Sequence, residues 1–154
     1  MQLDGLEKPA TRRGLDVDAS VVARLLEQTA RAVYESRGPR AVHPGQWAVL
    51  RYLARAGRQA RTVGGVAVYL GVTHAPASRA VAALARKELV TVRPDPEDRR
   101  VRRIDLTSAG RALLDQDPVH RLTSAIEGLD TRAQADFART LEAVYAKLAK
   151  TDAS

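Results

Sequence analysis

Cysteine is missing altogether. That excludes disulfides, thiol redox sensing and any zinc site built on thiolates. Aromatic residues are scarce, at 4%. The interior must therefore be filled by alanine, valine and leucine, which suits helices packed through small aliphatic side chains. No apolar run approaches the roughly 20 residues needed to cross a bilayer. The opening segment, MQLDGLEKPATRRG, lacks the apolar stretch of a secretory signal. The expectation is a soluble, cytoplasmic protein with no membrane partner.

The usual marks of catalysis are missing too. There is no Gly-x-Ser-x-Gly turn to present a serine nucleophile and no glycine-rich phosphate loop; Gly64-Gly65 stands alone. His43, His74 and His120 are widely spaced, with no carboxylates in a ligand pattern. No catalytic residue, metal or cofactor is expected, and the protein is not expected to be an enzyme.

What is abundant is arginine. Lys and Arg number 25 against 18 Asp and Glu, a formal net charge of +7. Guanidinium binds phosphates and guanine edges bidentately, which ammonium cannot do. A genome rich in GC also raises arginine, but it does not gather arginines at one hairpin. That gathering occurs in LVTVRPDPEDRRVRRIDLTSAG, Leu89 to Gly110. Two β-like runs, Val90–Arg93 and Val101–Leu106, flank the turn Pro94-Asp95-Pro96-Glu97-Asp98. Arg99, Arg100, Arg102 and Arg103 crowd its far side. A hairpin that projects arginines can reach into a narrow, negative groove.

Helical periodicity precedes the hairpin. A first helix begins at Asp18, a natural N-cap, with Val22, Leu25, Leu26, Thr29 and Val33 at three- and four-residue spacing. Ser36-Arg37-Gly38-Pro39 ends it. A second starts near Pro44, carries Trp47, Leu50, Leu53 and Ala54 on its apolar face, and stops at Gly57. A third follows the N-cap Thr62, with Val63, Val66, Ala67 and Leu70 buried. Gly64 and Gly65 each cost about 1 kcal/mol there relative to alanine, so they mark either close packing or a weak helix. Gly71-Val72 makes the turn. Thr73 caps a fourth helix, with Pro76 in its first turn, where no amide bond is lost. At about 100° per residue, Ala77, Val81 and Leu84 share one face and Ala75, Arg79, Ala82 and Arg86 the opposite one, with Ser78 and Ala83 at the sides. A small outer face with isolated arginines can sink into a major groove. Helix-turn-helix and hairpin together read as a winged helix-turn-helix, in a mainly α fold with a small β-wing, and so as a DNA-binding lobe over 44–107.

The remaining segments frame that lobe. Residues 1–16 mix charge, Gly and Pro and are expected to form a flexible arm; 17–43 is expected to be a dimerisation helix. Thr107 caps a fifth helix that Pro118 breaks. The helical pattern resumes through Leu122 and Ile126 to Gly128, and a last helix starts at Asp130 or Thr131, where Thr131 and Gln134 have capping-box spacing. Ala133, Phe137, Leu141, Val144 and Leu148 make a continuous stripe on it, suited to a twofold interface. Residues 108–150 complete a helical dimerisation lobe, and 151–154 form a tail. Tyr34, His43, Trp47 and Tyr52 are candidates for an effector pocket, with core packing as the competing role for Trp47.

Asp95-Pro96-Glu97-Asp98-Arg99-Arg100 followed by Ile104-Asp105-Leu106-Thr107-Ser108-Ala109-Gly110 resembles the wing motif of the multiple-antibiotic-resistance regulator (MarR) family, an Asp-x-Arg, an apolar strand and Leu-Thr-x-x-Gly. Leu70-Gly71-Val72-Thr73 with Ala77-Ser78-Arg79 resembles its helix-turn-helix. The resemblance runs from about Gln46 to Leu114. It implies an obligate homodimer on a pseudo-palindromic double-stranded DNA operator, fourth helix in the major groove and wing in the flanking minor groove. It also implies a dimer interface from the first and last helices, here Val22, Leu26, Phe137, Leu141, Val144 and Leu148. Such regulators usually repress and are released by a small aromatic or phenolic effector, or by an oxidant; the absent thiol excludes the cysteine-based version. By position, Ser78 and Arg79 match DNA contacts, Arg100 the wing-tip arginine and Asp98 the acid that orients it. The expected DNA-contact set is Thr73, His74, Ser78, Arg79, Arg86, Asp98, Arg99, Arg100 and Arg102. His74 and Pro76 depart from the polar or small residues common in the family. The alternative function is a basic architectural DNA-binding protein with little sequence choice and no effector.

Overall fold

A computed structural model describes residues 18–35 and 41–151. The expected arm at 1–16, the helix stop at Ser36-Arg37-Gly38-Pro39 and the end of the tail at 152–154 lie outside the described residues. The chain divides into two compact units, Met1–Ala32 and Val33–Ser154.

Helix α1, Ala19–Val33, lies in the first unit up to Ala32. Asp18 starts it as expected. Its carboxylate accepts the Ser20 hydroxyl at 2.8 Å and the Ser20 amide at 3.3 Å. These bonds hold the carboxyl below its usual range. No α1 residue is buried, and Val22 and Leu26 stand open.

The second unit runs α2 (Pro44–Arg55), a single 3-10 turn (Arg58–Ala60), α3 (Val63–Leu70), α4 (His74–Arg86), β1 (Val90–Pro94), β2 (Arg102–Leu106), α5 (Ser108–Leu114), α6 (Val119–Glu127) and α7 (Thr131–Thr151). The two strands are antiparallel, with Val90 opposite Leu106, Val92 opposite Ile104 and Pro94 opposite Arg102. The wing therefore includes Pro94 and starts its return at Arg102, not at Val101. An edge-strand proline loses no ladder bond that it could have made.

Every buried apolar residue of the core falls between Val42 and Leu106. Leu50, Leu53, Val66, Leu84 and Ile104 are its centre, drawn from α2, α3, α4 and β2. Two expectations for α2 change. Ala54 is exposed, and Val49 takes the buried place. The helix ends at Arg55, with Ala56 extended at ψ 138° and bonded back to Tyr52, so Gly57 is not the stop. Lys87, at the end of α4, donates to the Ala41 carbonyl and to Gln46 Oε1 (2.8 Å), tying α4 to the start of α2.

The two adjacent glycines of α3 have different explanations. A Cβ on Gly65 would lie 2.1 Å from the Ala60 carbonyl oxygen and 2.4 Å from the Tyr52 hydroxyl, which itself donates to that carbonyl. A Cβ on Gly64 would meet only Thr62 Oγ1, at 3.8 Å. Gly65 thus serves close packing, while Gly64 carries only its helix cost. Gly65→Ala should destabilise the protein by about 1–3 kcal/mol, and Gly64→Ala should stabilise it by up to about 1 kcal/mol. Thermal melts of the two variants check this; a reversed order would contradict it.

Helix caps explain most of the remaining boundaries. Thr62 accepts from the Gly65 amide and Thr107 from the Gly110 amide, as N-caps should. Gly71 ends α3 in the left-handed region at φ 63°. Pro118 separates α5 from α6. At α7 the cap is Asp130, whose carboxylate accepts from the Ala133 amide at 2.9 Å; Gln134 donates to the Leu129 carbonyl instead of completing a box with Thr131.

A buried ion pair that no sequence signal marked joins α2 to the α5–α6 junction. Arg51 Nε and Nη2 reach the two oxygens of Asp117 at 2.6 and 2.8 Å, and Nη2 also donates to the Tyr34 hydroxyl at 3.1 Å. The Asp117 side chain is only 4% exposed, and its Oδ1 accepts the Val119 amide that opens α6.

Candidate nucleic-acid interface

The outer face of α4 is formed as its periodicity requires. Ala77, Val81 and Leu84 are buried, Ala75, Arg79, Ala82 and Arg86 are exposed, and Ser78 and Ala83 lie between. Thr73 takes the N-cap backbone but makes no side-chain cap bond. The physical reason is Pro76 at the third helical position, which has no N–H to donate. The expected side-chain cap is absent.

The wing stands beside this helix. His74 and Ser78 of α4 line one concavity of about 560 Å³ with Arg100 and Arg102 of the wing. Val63, Val81, Ala82, Val92 and Val101 give it apolar lining as well. Arg79, Arg86, Arg99, Arg100 and Arg102 are all exposed. Asp98 accepts the backbone amide of Arg100 at 3.0 Å. It therefore orients the wing tip through the main chain.

Arg103 differs from the expectation of four projecting arginines. Its side chain is 13% exposed and turned inward. Nε meets Asp95 Oδ2 at 2.5 Å, Nη1 meets the Gln59 carbonyl at 2.6 Å and Nη2 the Gln59 Oε1 at 2.6 Å. The bond from Arg103, with those from the Glu97 and Asp98 amides, holds the Asp95 carboxyl below the usual carboxylate range. Strand alternation could have found this. Neighbouring strand residues point to opposite faces, so Arg102 and Arg103 cannot both face α4. Asp105, two residues on, shares Arg103's face and pairs with Arg61 at 3.1 Å.

A second cavity, of about 270 Å³, shares no lining residue with the first. Tyr34 and Trp47 line it with Val33, Glu35, Val42, Leu113, Gln116, Pro118 and Arg121. His43 and Tyr52, the other two pocket candidates, do not line it. Tyr52 is held elsewhere by the Ala60 carbonyl and by the Tyr69 ring, with centroids 4.9 Å apart. Among the described residues no group of His, Cys, Asp and Glu could hold a metal ion, and no helix is long and apolar enough to cross a membrane.

The sequence profile of the MarR family matches residues 42–101, from the start of α2 to the wing turn. Over this segment the chain is similar to the MarR family. The family's members are DNA-binding transcription regulators. Solved structures agree at the level of fold. BpsR of Bordetella bronchiseptica, whose DNA binding is regulated by 6-hydroxynicotinic acid, superposes with a TM-score of 0.66 at 22% identity, covering 83% of this chain and 93% of that one. The PcaV transcriptional regulator of Streptomyces coelicolor gives 0.68 at 21%, covering 86% and 98%. MepR of S. aureus, in its complex with DNA, gives 0.68 at 18%, covering 85% and 96%. No curated protein sequence matches the chain.

Proposed function

We propose that the protein is a homodimeric, sequence-specific repressor that binds a pseudo-palindromic operator and is released by a small aromatic ligand. The observation that carries the DNA half is the shared concavity of α4 and wing, where His74, Ser78, Arg100 and Arg102 converge. Thr73, Arg79 and Arg86 extend the surface along α4, and Asp98 and Arg99 along the wing. Arg79 reads a base edge from the middle of the exposed face. Arg79→Ala should then reduce discrimination between operator and random DNA by about 1–3 kcal/mol. Equal losses on both DNAs would reduce Arg79 to a phosphate contact. The operator duplex for such measurements comes from selecting bound sequences out of a random pool.

The dimer half rests on exposed apolar surface far in sequence from the core. Phe137 is 40%, Val144 41% and Leu148 63% exposed along α7, as are Val22 (49%) and Leu26 (41%) on α1. The α7 residues, with Leu141, offer a self-complementary surface for a twofold interface, and the same proposal gives the α1 residues, and with them 17–43 and 108–150, a dimerisation role. Sedimentation at micromolar concentration should show a dimer. Leu141→Glu with Val144→Glu should give monomers that bind the operator poorly, because two half-sites roughly 10 bp apart, or a multiple of that, need both subunits. A wild-type monomer would refute the proposal.

The ligand half rests on the smaller cavity, where Tyr34 and Trp47 meet. A planar, largely apolar molecule fits such a site, and it releases DNA by favouring a different spacing of the recognition helices. Trp47 is the only tryptophan, so its fluorescence reports binding directly. Titration with salicylate-like acids should quench it and release the operator in parallel. Peroxide should do neither, since the chain has no cysteine. Release by peroxide but by no aromatic acid would overturn the pocket assignment.

A further inference from the structure

We infer that Arg103 is not a DNA contact but the positioning residue that pre-orders the wing tip. A continuous chain of bonds runs from the body of the lobe to Arg100. Arg103 takes the Gln59 carbonyl and side chain at 2.6 Å each, anchoring itself to the 3-10 turn. Its Nε holds Asp95. Asp95 Oδ1 in turn accepts the amides of Glu97 (2.8 Å) and Asp98 (3.4 Å). Asp98 accepts the Arg100 amide at 3.0 Å, and the Val101 amide returns to the Asp98 carbonyl at 2.9 Å. Asp95 is 3% exposed in an otherwise exposed turn. A carboxylate is buried at the surface of a hairpin only when it is fully bonded, and here the bonds go to the backbone of the turn itself.

The consequence concerns the entropy of binding. A free seven-residue turn, 95–101, would have to be ordered as the wing enters its groove. Fixing one residue's backbone costs roughly 1–2 kcal/mol. The Arg103–Asp95 anchor meets that cost at folding, so Arg100 arrives already oriented. The inference rests on the wing-tip reading of Arg100.

Operator affinity over a salt series, for Arg103→Gln, Arg100→Ala and the double variant, tests it. Arg103→Gln should weaken binding about tenfold, the cost of ordering roughly one residue. The dependence of log affinity on log salt should keep the wild-type slope, because no phosphate contact is lost. On the Arg100→Ala background, Arg103→Gln should add nothing, since the residue acts through Arg100. Asp95→Asn keeps an oxygen for the Glu97 amide but loses the ionic partner; it should behave like Arg103→Gln and carries the measurement should that variant not fold. A slope reduced by about one unit would make Arg103 a phosphate contact and overturn the inference. Losses that add in the double variant would make it a general support of the lobe, and wild-type affinity in both anchor variants would show that the wing needs no anchor; either overturns it. Wild-type affinity in Arg100→Ala alone would sink the wing-tip reading first, and the inference with it.

Discussion

Arg51→Met should lower the unfolding free energy by about 3 kcal/mol, the scale for stranding one partner of a buried ion pair. The variant keeps most of the side-chain length and removes the charge. Asp117 would then sit 4% exposed with only the Val119 amide to satisfy it. Tyr34 would lose the donor to its hydroxyl as well. Nothing apolar replaces the pair, because Arg51 is what ties α2 to the α5–α6 junction. The loss should also depend on pH, and its sign can be worked out. Burial pushes the Asp117 carboxyl up, but the Arg51 bond and the Val119 amide outweigh that and hold it below its usual value. A carboxyl depressed by folding contributes stability that is complete above its unfolded pKa of about 4 and disappears as pH falls through the lower folded value. The gap between wild type and Arg51→Met should therefore be full at neutral pH and should narrow in acid below about pH 4. Urea denaturation at both pH values checks this. A loss under about 1 kcal/mol at neutral pH would put the pair in the class of exposed surface bridges.

Arg100→Ala should weaken operator binding about 5- to 150-fold, or roughly 1–3 kcal/mol, and leave the fold unchanged. The side chain is exposed, so its removal disturbs no packing. Its backbone is held by Asp98, so the point from which the guanidinium reaches out is fixed. A narrow AT-rich minor groove concentrates negative potential, and an inserted guanidinium gains most there. The loss should be largest on operators with AT-rich flanks, since minor-groove readout separates little beyond A·T from G·C. Affinity equal to wild type on every flank would remove Arg100 from the interface.

Much of the winged helix-turn-helix is legible because its signals are local. The inner and outer faces of α4 follow from helical period alone, with Ala77, Val81 and Leu84 inside and Arg79 and Arg86 out. Thr62, Gly71, Thr107 and Pro118 act within one turn of where they stand. The misreadings have non-local or combinatorial causes. Gly65 is explained only by a carbonyl that a 3-10 turn brings against α3. Thr73 looked like a cap because its type is right, but the proline three residues on removes the donor. Arg51 and Asp117 are 66 residues apart, and no pattern in either segment announces the pair. Arg103 was grouped with its neighbours by density of charge, when strand alternation already set it on the opposite face. Tyr52 seemed free for a ligand because its partner, the Ala60 carbonyl, belongs to the same 3-10 turn.

The central claim is that α4 and the wing read a specific duplex. Selection from a random pool, followed by affinity measurement on the selected and on scrambled DNA, tests it most directly. The account predicts an inverted repeat with half-sites roughly 10 bp apart, or a multiple of that, and a preference of at least about 10³-fold over scrambled sequence. A pool that yields no common motif, with all duplexes bound alike, would contradict it and leave an architectural DNA-binding protein.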